Sequence, residues 1–285
     1  MRAFVVTVAA AEAELAADAL WGLGVVAVEE RAGAGGGVEL WTSLGDDAAD
    51  HSAHQPDSGE PMSDAVRVAL HDWPPSWRWR FEYVDESVAD SWRAHAEPVL
   101  VDAGLVVRPA WVEFDAPEGT TVLQIEPGAT FGMGDHPTTI LCLRAVRRLV
   151  SAGCAVLDVG CGSGVLAVAA CVFGAHRAVG IDIAPAAVPV TAANAKANGV
   201  GRQVTVSTTS LADVEGQYEL VVANILAPTL VALADHLCRV VAPGGALVVS
   251  GVLADRHQHV LQALVPLTVE RTELLDGWAA ITLRR

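Results

Sequence analysis

The chain has 285 residues, 52% of them hydrophobic and 18% charged, enough for two domains with ample cores. A net charge of −16 disfavours direct nucleic-acid binding, which needs basic patches against phosphate. No uncharged apolar run is long enough for a membrane span, the first residues lack a signal-peptide pattern, and five cysteines without a C-x-x-C pair read as small buried residues of a cytoplasmic protein, with no disulfide or metal site expected.

The charge is uneven. Residues 1–130 hold 23 acids against 7 Lys/Arg, whereas residues 131–285 hold 11 of each. Seven of the eight tryptophans also lie in the first part. Six acids (Asp46, Asp47, Asp50, Asp57, Glu60, Asp64) share a Gly/Ser/Pro/His-containing stretch that reads as a loop. Solubility explains them, as does steering of a basic partner.

Residues 3–9 read as a strand, 10–22 as a helix ended by Gly22 and Gly24, Val25–Glu29 as a strand, and Val38–Thr42 as a third. Ser63 caps a helix to His71, and Trp77–Val84 alternates like a strand. The order β-α-β-β-α-β predicts a ferredoxin-like α+β domain over residues 1–84. Residues 85–100 read as a linker helix (Ser87–Ala96) stopped by Pro98, and invite a hinge. Leu105–Trp111 and Thr121–Glu126, with Pro117-Glu118-Gly119 between them, are expected to form a small hairpin opening a second domain, 101–285.

Beyond residue 127 strands and helices alternate, which predicts a parallel sheet. Pro137–Val150 is a helix with proline in its first turn. Strands are expected at Ala155–Val159, Ala178–Ile183, Val204–Ser207, Leu220–Ala223 and Gly245–Ser250. Helices are expected at Gly164–Phe173, Pro185–Asn198, from about 226 through Val241, and Ala254–Leu264. Asp276-Gly277 between two strand-like runs, 267–275 and 278–283, signals a hairpin. The fold class is therefore α/β: a doubly wound, mostly parallel seven-stranded sheet behind a small N-terminal domain.

Residues 155–164 read A-V-L-D-V-G-C-G-S-G: a strand, an acid, and glycines at 160, 162 and 164 ahead of a helix. Glycine permits positive φ and a close backbone approach to a ligand. Asp182 ends the next strand, where a carboxylate can accept two hydrogen bonds from a ribose diol or cap the following helix. NAD and S-adenosylmethionine both fit that pair. Asp158 before the first glycine, Val165 where a NAD fingerprint carries glycine, and the C-terminal hairpin point to S-adenosylmethionine. Asn224 ends strand four, where an amide can touch cofactor and incoming amine, or cap a helix. Residues 126–139, E-P-G-A-T-F-G-M-G-D-H-P-T-T, form a glycine-rich segment running into a helix whose first turn carries Thr138 and Thr139. His136 is either a structural hydrogen-bonding residue or a general base.

The segments F-G-M-G-D-H-P-T-T, D-V-G-C-G-S-G, G-I-D-I-A-P and V-V-A-N-I-L, in this order, resemble the bacterial ribosomal protein L11 methyltransferases. The resemblance is specific over about 126–255 and loose before 100. It implies a ferredoxin-like substrate-recognition domain, a linker and a class I methyltransferase domain. It also implies transfer of methyl groups from S-adenosylmethionine to lysine side chains and the N-terminal amine of one ribosomal protein. Motif matching carries the cofactor contacts to Thr139, Gly160, Asp182 and Asn224, with Gly162 in the same turn, and Asn224 is the candidate catalytic residue. The chain departs from the family at Met133, where threonine is usual. The expected partner is a basic protein, and the expected state a monomer. Two rivals remain: a lysine methyltransferase of another protein, like the related electron-transfer-flavoprotein enzymes, and a non-catalytic nucleoside-sensing module.

Overall fold

A computed structural model describes residues 2–23, 25, 28–33, 36–42, 44, 64–71, 73–83, 97–126 and 134–285. The chain divides into two compact units, Met1–His95 and Ala96–Arg285. The expected linker helix, the Ser63 cap, most of the acidic stretch and residues 127–133 (Met133 among them) lie outside the described residues.

In the first unit, β1 (Arg2–Ala9) leads through a short 3-10 turn into α1 (Ala13–Gly22), followed by β2 (Val28–Ala32), β3 (Gly37–Thr42), α2 (Asp64–His71) and β4 (Arg78–Tyr83). The strands form one antiparallel sheet in the order β2-β3-β1-β4, the ferredoxin-like arrangement. Period-two alternation sends Phe4, Val6, Val8, Val38 and Leu40 into a core with Ala13, Ala16 and Leu20 of α1. Phe4 anchors an aromatic cluster, its ring 5.1 Å from Phe81 and 6.3 Å from Trp73. β2 starts three residues later than the apolar run Val25–Val28 implies. Val25 is instead buried in the core, and the edge strand that pairs with β3 carries Glu29, Glu30 and Arg31. An edge strand needs a partner more than it needs apolar residues.

The second unit opens with β5 (Val99–Asp102), β6 (Leu105–Arg108) and β7 (Thr121–Gln124). The expected hairpin between the last two is incorrect. β6 pairs antiparallel with β5 and parallel with β7. The 12 residues from 109 to 120 are long enough to carry the chain back for a parallel pairing. Gly119, at φ +83°, closes only a local turn, in which the Thr120 N–H donates to the Pro117 carbonyl.

Next come α3 (Pro137–Leu149), β8 (Ala155–Val159), α4 (Val165–Val172), β9 (Arg177–Ile181), α5 (Ala187–Ala197), β10 (Val204–Ser207) and β11 (Tyr218–Asn224). They are followed by α6 (Ala227–Ala232), α7 (Ala234–Val240), β12 (Val241–Leu253), α8 (Gln258–Ala263), β13 (Thr268–Leu275) and β14 (Trp278–Arg284). The seven-stranded sheet runs β10-β9-β8-β11-β12-β14-β13, parallel except for β14 against its neighbours. All five residues of β8 are buried, as a strand covered on both faces requires. Separate apolar clusters fill the two sides, one around Val156, Val222 and Val248, the other around Leu157, Val221 and Val249.

Several boundaries move. Pro185 and Ala186 form a turn ahead of α5, with the Val188 N–H donating to the Pro185 carbonyl. The single helix expected up to Val241 breaks at Leu233, whose φ of −97° and ψ of 4° leave the α region. β12 is longer than expected at both ends, and Asp276-Gly277 turns at φ +48° and +82°, the two positive values of a type I′ hairpin turn.

Candidate active site

Three strand ends at the carboxyl edge of the large sheet carry polar side chains: Asp158 beside β8's terminus, Asp182 after β9 and Asn224 on β11, which pairs with the buried Ser250 within β12. In a doubly wound sheet this edge, where strand order reverses, forms the ligand crevice. The reversal falls between β8 and β11.

The turn after β8 has Gly160, Gly162 and Gly164 at φ +72°, +52° and +78°, a region that L side chains enter at a cost of about 1–2 kcal/mol. Protein packing adds a second requirement. A Cβ on Gly160 would lie 2.4 Å from Ile225 Cγ2, and one on Gly164 2.5 Å from Thr191 Cγ2. These two glycines therefore admit neighbouring side chains as well as taking the positive φ expected of them. The Gly160 and Cys161 N–H groups both donate to the Ile181 carbonyl, at 2.8 and 3.1 Å, which fastens the turn to the end of β9.

Asp182 is half-buried. One of its oxygens accepts the Gly162 N–H at 2.8 Å and the other the Ala184 N–H at 2.9 Å. The carboxylate is thus held rigidly, and each oxygen keeps a further lone pair. Ile183, next to it, is 83% exposed. This apolar surface beside an acid was missed in the sequence, although a bare isoleucine at a strand end was a legible signal.

Asp158 is buried. Its Oδ2 accepts the Ala167 N–H at 3.0 Å, and its Oδ1 has no partner among the described residues. Burial pushes its pKa up to about 7, the Ala167 bond opposes the shift, and the nearby Asp182 adds to it. With no partner for Oδ1 among the described residues, burial favours the protonated, neutral carboxyl. Burial also pushes the neighbouring Cys142 and Cys161 thiols up, which makes them inert apolar packing.

α3 presents Thr138 and Thr139, both buried, from its first turn. Pro137 occupies the first helical position, as expected, and His136 is the N-cap. Its Nδ1 accepts the Thr138 N–H at 3.3 Å and lies 2.7 Å from Thr138 Oγ1, while its ring meets Trp278 edge-on at 5.1 Å. Desolvation lowers its pKa, Asp135 opposing, so the ring is neutral in its capping role. Of the two readings left open for His136, the structure places it in the structural one. Asn224 Nδ2 donates to Thr139 Oγ1 at 3.4 Å, which joins the end of β11 to the first turn of α3. The structure thus brings together Thr139 with Asn224, and Gly160 and Gly162 with Asp182. Among the described residues, no cluster of three or more His, Cys, Asp or Glu is placed to hold a metal, and no helix is long and apolar enough to cross a membrane.

A seven-stranded sheet of this order, with a glycine turn after its first strand, is the fold of the S-adenosylmethionine-dependent methyltransferases. Residues 56–285 match the family model described as ribosomal protein L11 methyltransferase (PrmA), and the chain belongs to that family. A ribosomal protein L11 methyltransferase of Citrifermentans bemidjiense is 45% identical over 208 residues, 70% of this chain and 68% of the relative. One from Geobacter metallireducens is 45% identical over 199 residues, 69% of this chain and 66% of the relative. The crystal structure of a ribosomal protein L11 methylase from Lactobacillus delbrueckii subsp. bulgaricus superposes with a TM-score of 0.61 at 29% identity, covering 66% of this chain and 97% of that one.

Proposed function

We propose that this chain methylates amines of ribosomal protein L11, with residues 160–164, Asp182, Thr139 and Asn224 forming the cofactor site. The observation that carries the site is the fixed Asp182 carboxylate, braced by Gly162 and Ala184 with lone pairs to spare beside the exposed Ile183. Such an edge suits a ribose diol with an adenine on the apolar side chain. S-adenosylmethionine supplies an electrophilic methyl group on sulfur. The protein's own residues position and desolvate. Asn224, tied to Thr139, holds an amide at the crevice, where its oxygen can accept an N–H from a neutral amine. A lysine of pKa about 10.4 needs roughly 4.6 kcal/mol to lose its proton at pH 7, and a water-poor slot lowers that cost by disfavouring the ammonium. No described side chain acts as a dedicated base in this reading, since His136 is engaged in capping α3. Orientation of the amine can account for about 7–11 kcal/mol of the barrier.

The relatives' names motivate the substrate. Residues 1–84 are the substrate-recognition domain in this reading, residues 85–100 the linker and residues 101–285 the methyltransferase domain, acting as a monomer in the cytoplasm on a basic protein. A second reading, another protein's lysines, is favoured by one observation: the family match begins only at residue 56, so β1 to β3 lie outside it. Mass spectrometry of ribosomal proteins from cells with and without the gene separates the two. Methyl-sized mass losses on L11 in the deletion strain support the first reading, and an unchanged L11 with loss of methyls elsewhere supports the second. Binding of S-adenosylmethionine in calorimetry without transfer to any protein would instead favour the nucleoside-sensing module.

A further inference from the structure

One face of α5 is polar where a helix packed inside an α/β domain is ordinarily apolar. Thr191 is fully buried, Asn194 is 3% exposed, and Asn198, at the helix C-cap, is half-buried. Spaced by three and four residues, they form one stripe. Every hydrogen-bonding group of the two asparagine side chains is matched. Asn198 Oδ1 accepts the Gln124 N–H at 2.9 Å, and its Nδ2 donates to the Gln124 carbonyl at 2.7 Å and the Asn194 carbonyl at 2.8 Å. Asn194 Oδ1 accepts the Glu126 N–H at 2.9 Å, and its Nδ2 donates to the Glu126 carbonyl at 2.8 Å and the Ser163 carbonyl at 2.9 Å.

Geometry explains the pairing. Residues 124 and 126 turn the same backbone edge outward, because the intervening Ile125 N–H bonds β6 through the Arg108 carbonyl. Two strand residues span about 6.7 Å, and four helical residues rise about 6 Å. Two carboxamides one turn apart on α5 therefore substitute for a neighbouring strand along the outer edge of β7 and its continuation to Glu126. The two differ in their third bond. Asn198 returns to its own helix, whereas Asn194 reaches Ser163, inside the glycine turn. Thr191 adds a second tie to that turn, its Oγ1 donating to the Gly162 carbonyl at 3.1 Å.

We infer that Asn194 is a positioning residue for cofactor binding: it fixes the Gly160–Gly164 turn, through Ser163, against the backbone of Glu126 just beyond β7. The inference rests on the proposal that this turn holds S-adenosylmethionine. Asn198 provides the internal control, because it makes the same kind of edge pairing without touching the turn.

The test is calorimetric titration of S-adenosylmethionine into the full-length protein and its Asn194→Ala, Asn194→Ser and Asn198→Ala variants, each well below its own melting temperature. Loss of the Asn194 amide is expected to weaken cofactor affinity by about tenfold or more, as displacement of a binding segment does. Asn198→Ala is expected to lower the melting temperature to a similar degree and leave affinity within about twofold. The serine variant serves where alanine does not fold. Equal cofactor affinity in the Asn194 variants and wild type overturns the inference. So does a loss in Asn198→Ala that matches theirs, since that marks a general packing effect. A wild-type protein that binds no S-adenosylmethionine overturns the underlying site proposal instead.

Discussion

The two principal sheets place their polar residues in opposite ways. In the seven-stranded sheet the central strands are covered on both faces, β8 is buried along its whole length, and Asp158, Asp182 and Asn224 stand at or next to strand ends, whereas the outer strand β13 is largely exposed and carries Glu270, Arg271 and Glu273. In the four-stranded sheet, among the described residues, one face carries the core, and the other, more open face carries charged residues around the buried Val5. There Arg80 donates to Glu39 at 3.0 Å, and the Arg31 guanidinium lies 4.1 Å over the Trp41 ring. Strands covered on both faces can address solvent only at their ends, along the rim of the sheet. The open face of the four-stranded sheet mixes charges and rings among the described residues.

Substitutions at the rim should therefore affect cofactor binding and turnover, and substitutions on the open face should leave cofactor binding unchanged. The largest effect is expected for Asp182→Ala. Two charge-assisted bonds at about 1.5–3 kcal/mol each amount to a loss of S-adenosylmethionine affinity of about 100-fold or more. Calorimetry showing a loss below tenfold would contradict the rim assignment. Asn224→Ala should lower kcat by about 100-fold in a radiolabelled methyl-transfer assay, as misplacement of a reacting group does. Unchanged kinetics would remove Asn224 from the site. Gly160→Ala should destabilise by about 2–4 kcal/mol, combining a positive-φ cost with overpacking against Ile225. In denaturant melts, adding Ile225→Ala should recover the packing part but not the backbone part, and a purely additive double variant would rule the contact out.

Asp158 produces a smaller, signed effect. Its folded-state pKa near 7 lies above the unfolded value of 3.8, so the native state binds the proton more tightly. The stability this confers is full below about pH 4 and is lost as pH rises through 7, on the order of a few kcal/mol. Cofactor-free protein should lose less stability between pH 5 and 8 as the Asp158→Asn variant than as wild type, and parallel pH profiles would refute the raised pKa. At the bottom of the scale, Arg80→Ala on the open face should cost under about 1 kcal/mol, since both Arg80 and Glu39 are solvent-accessible, and leave cofactor affinity unchanged. An affinity loss there would break the division between rim and face.

Elements with strong local signals were legible before the structure. β8 and β10 fall where their apolar runs lie, and Asp276-Gly277 turns as that dipeptide does. Thr139 and Asn224 could be paired only through motif resemblance, because 85 residues separate them and no local rule relates them. Features set by tertiary pairing were not legible. The parallel match of β6 with β7 depends on where a 12-residue connection returns, and β2 is defined by the strand it joins. Thr191, Asn194 and Asn198 look like ordinary residues of a helix containing N-A-K-A-N. Their role exists only once β7 offers an unpaired edge. Glycines 160 and 164 were identified correctly as a turn but for an incomplete reason, since Ile225 and Thr191 come from distant segments.

The position of β14 in the large sheet bears on the order of synthesis. This strand follows β13 in the chain, yet it lies between β12 and β13. It accepts the Ser250 hydroxyl proton at the Ala279 carbonyl and sets Trp278 against the cap of α3. While a ribosome still holds residues 278–284, β13 has no place to attach, Ser250 lacks its acceptor, and His136 lacks its aromatic neighbour. These three contacts can therefore form only after this segment has left the exit tunnel.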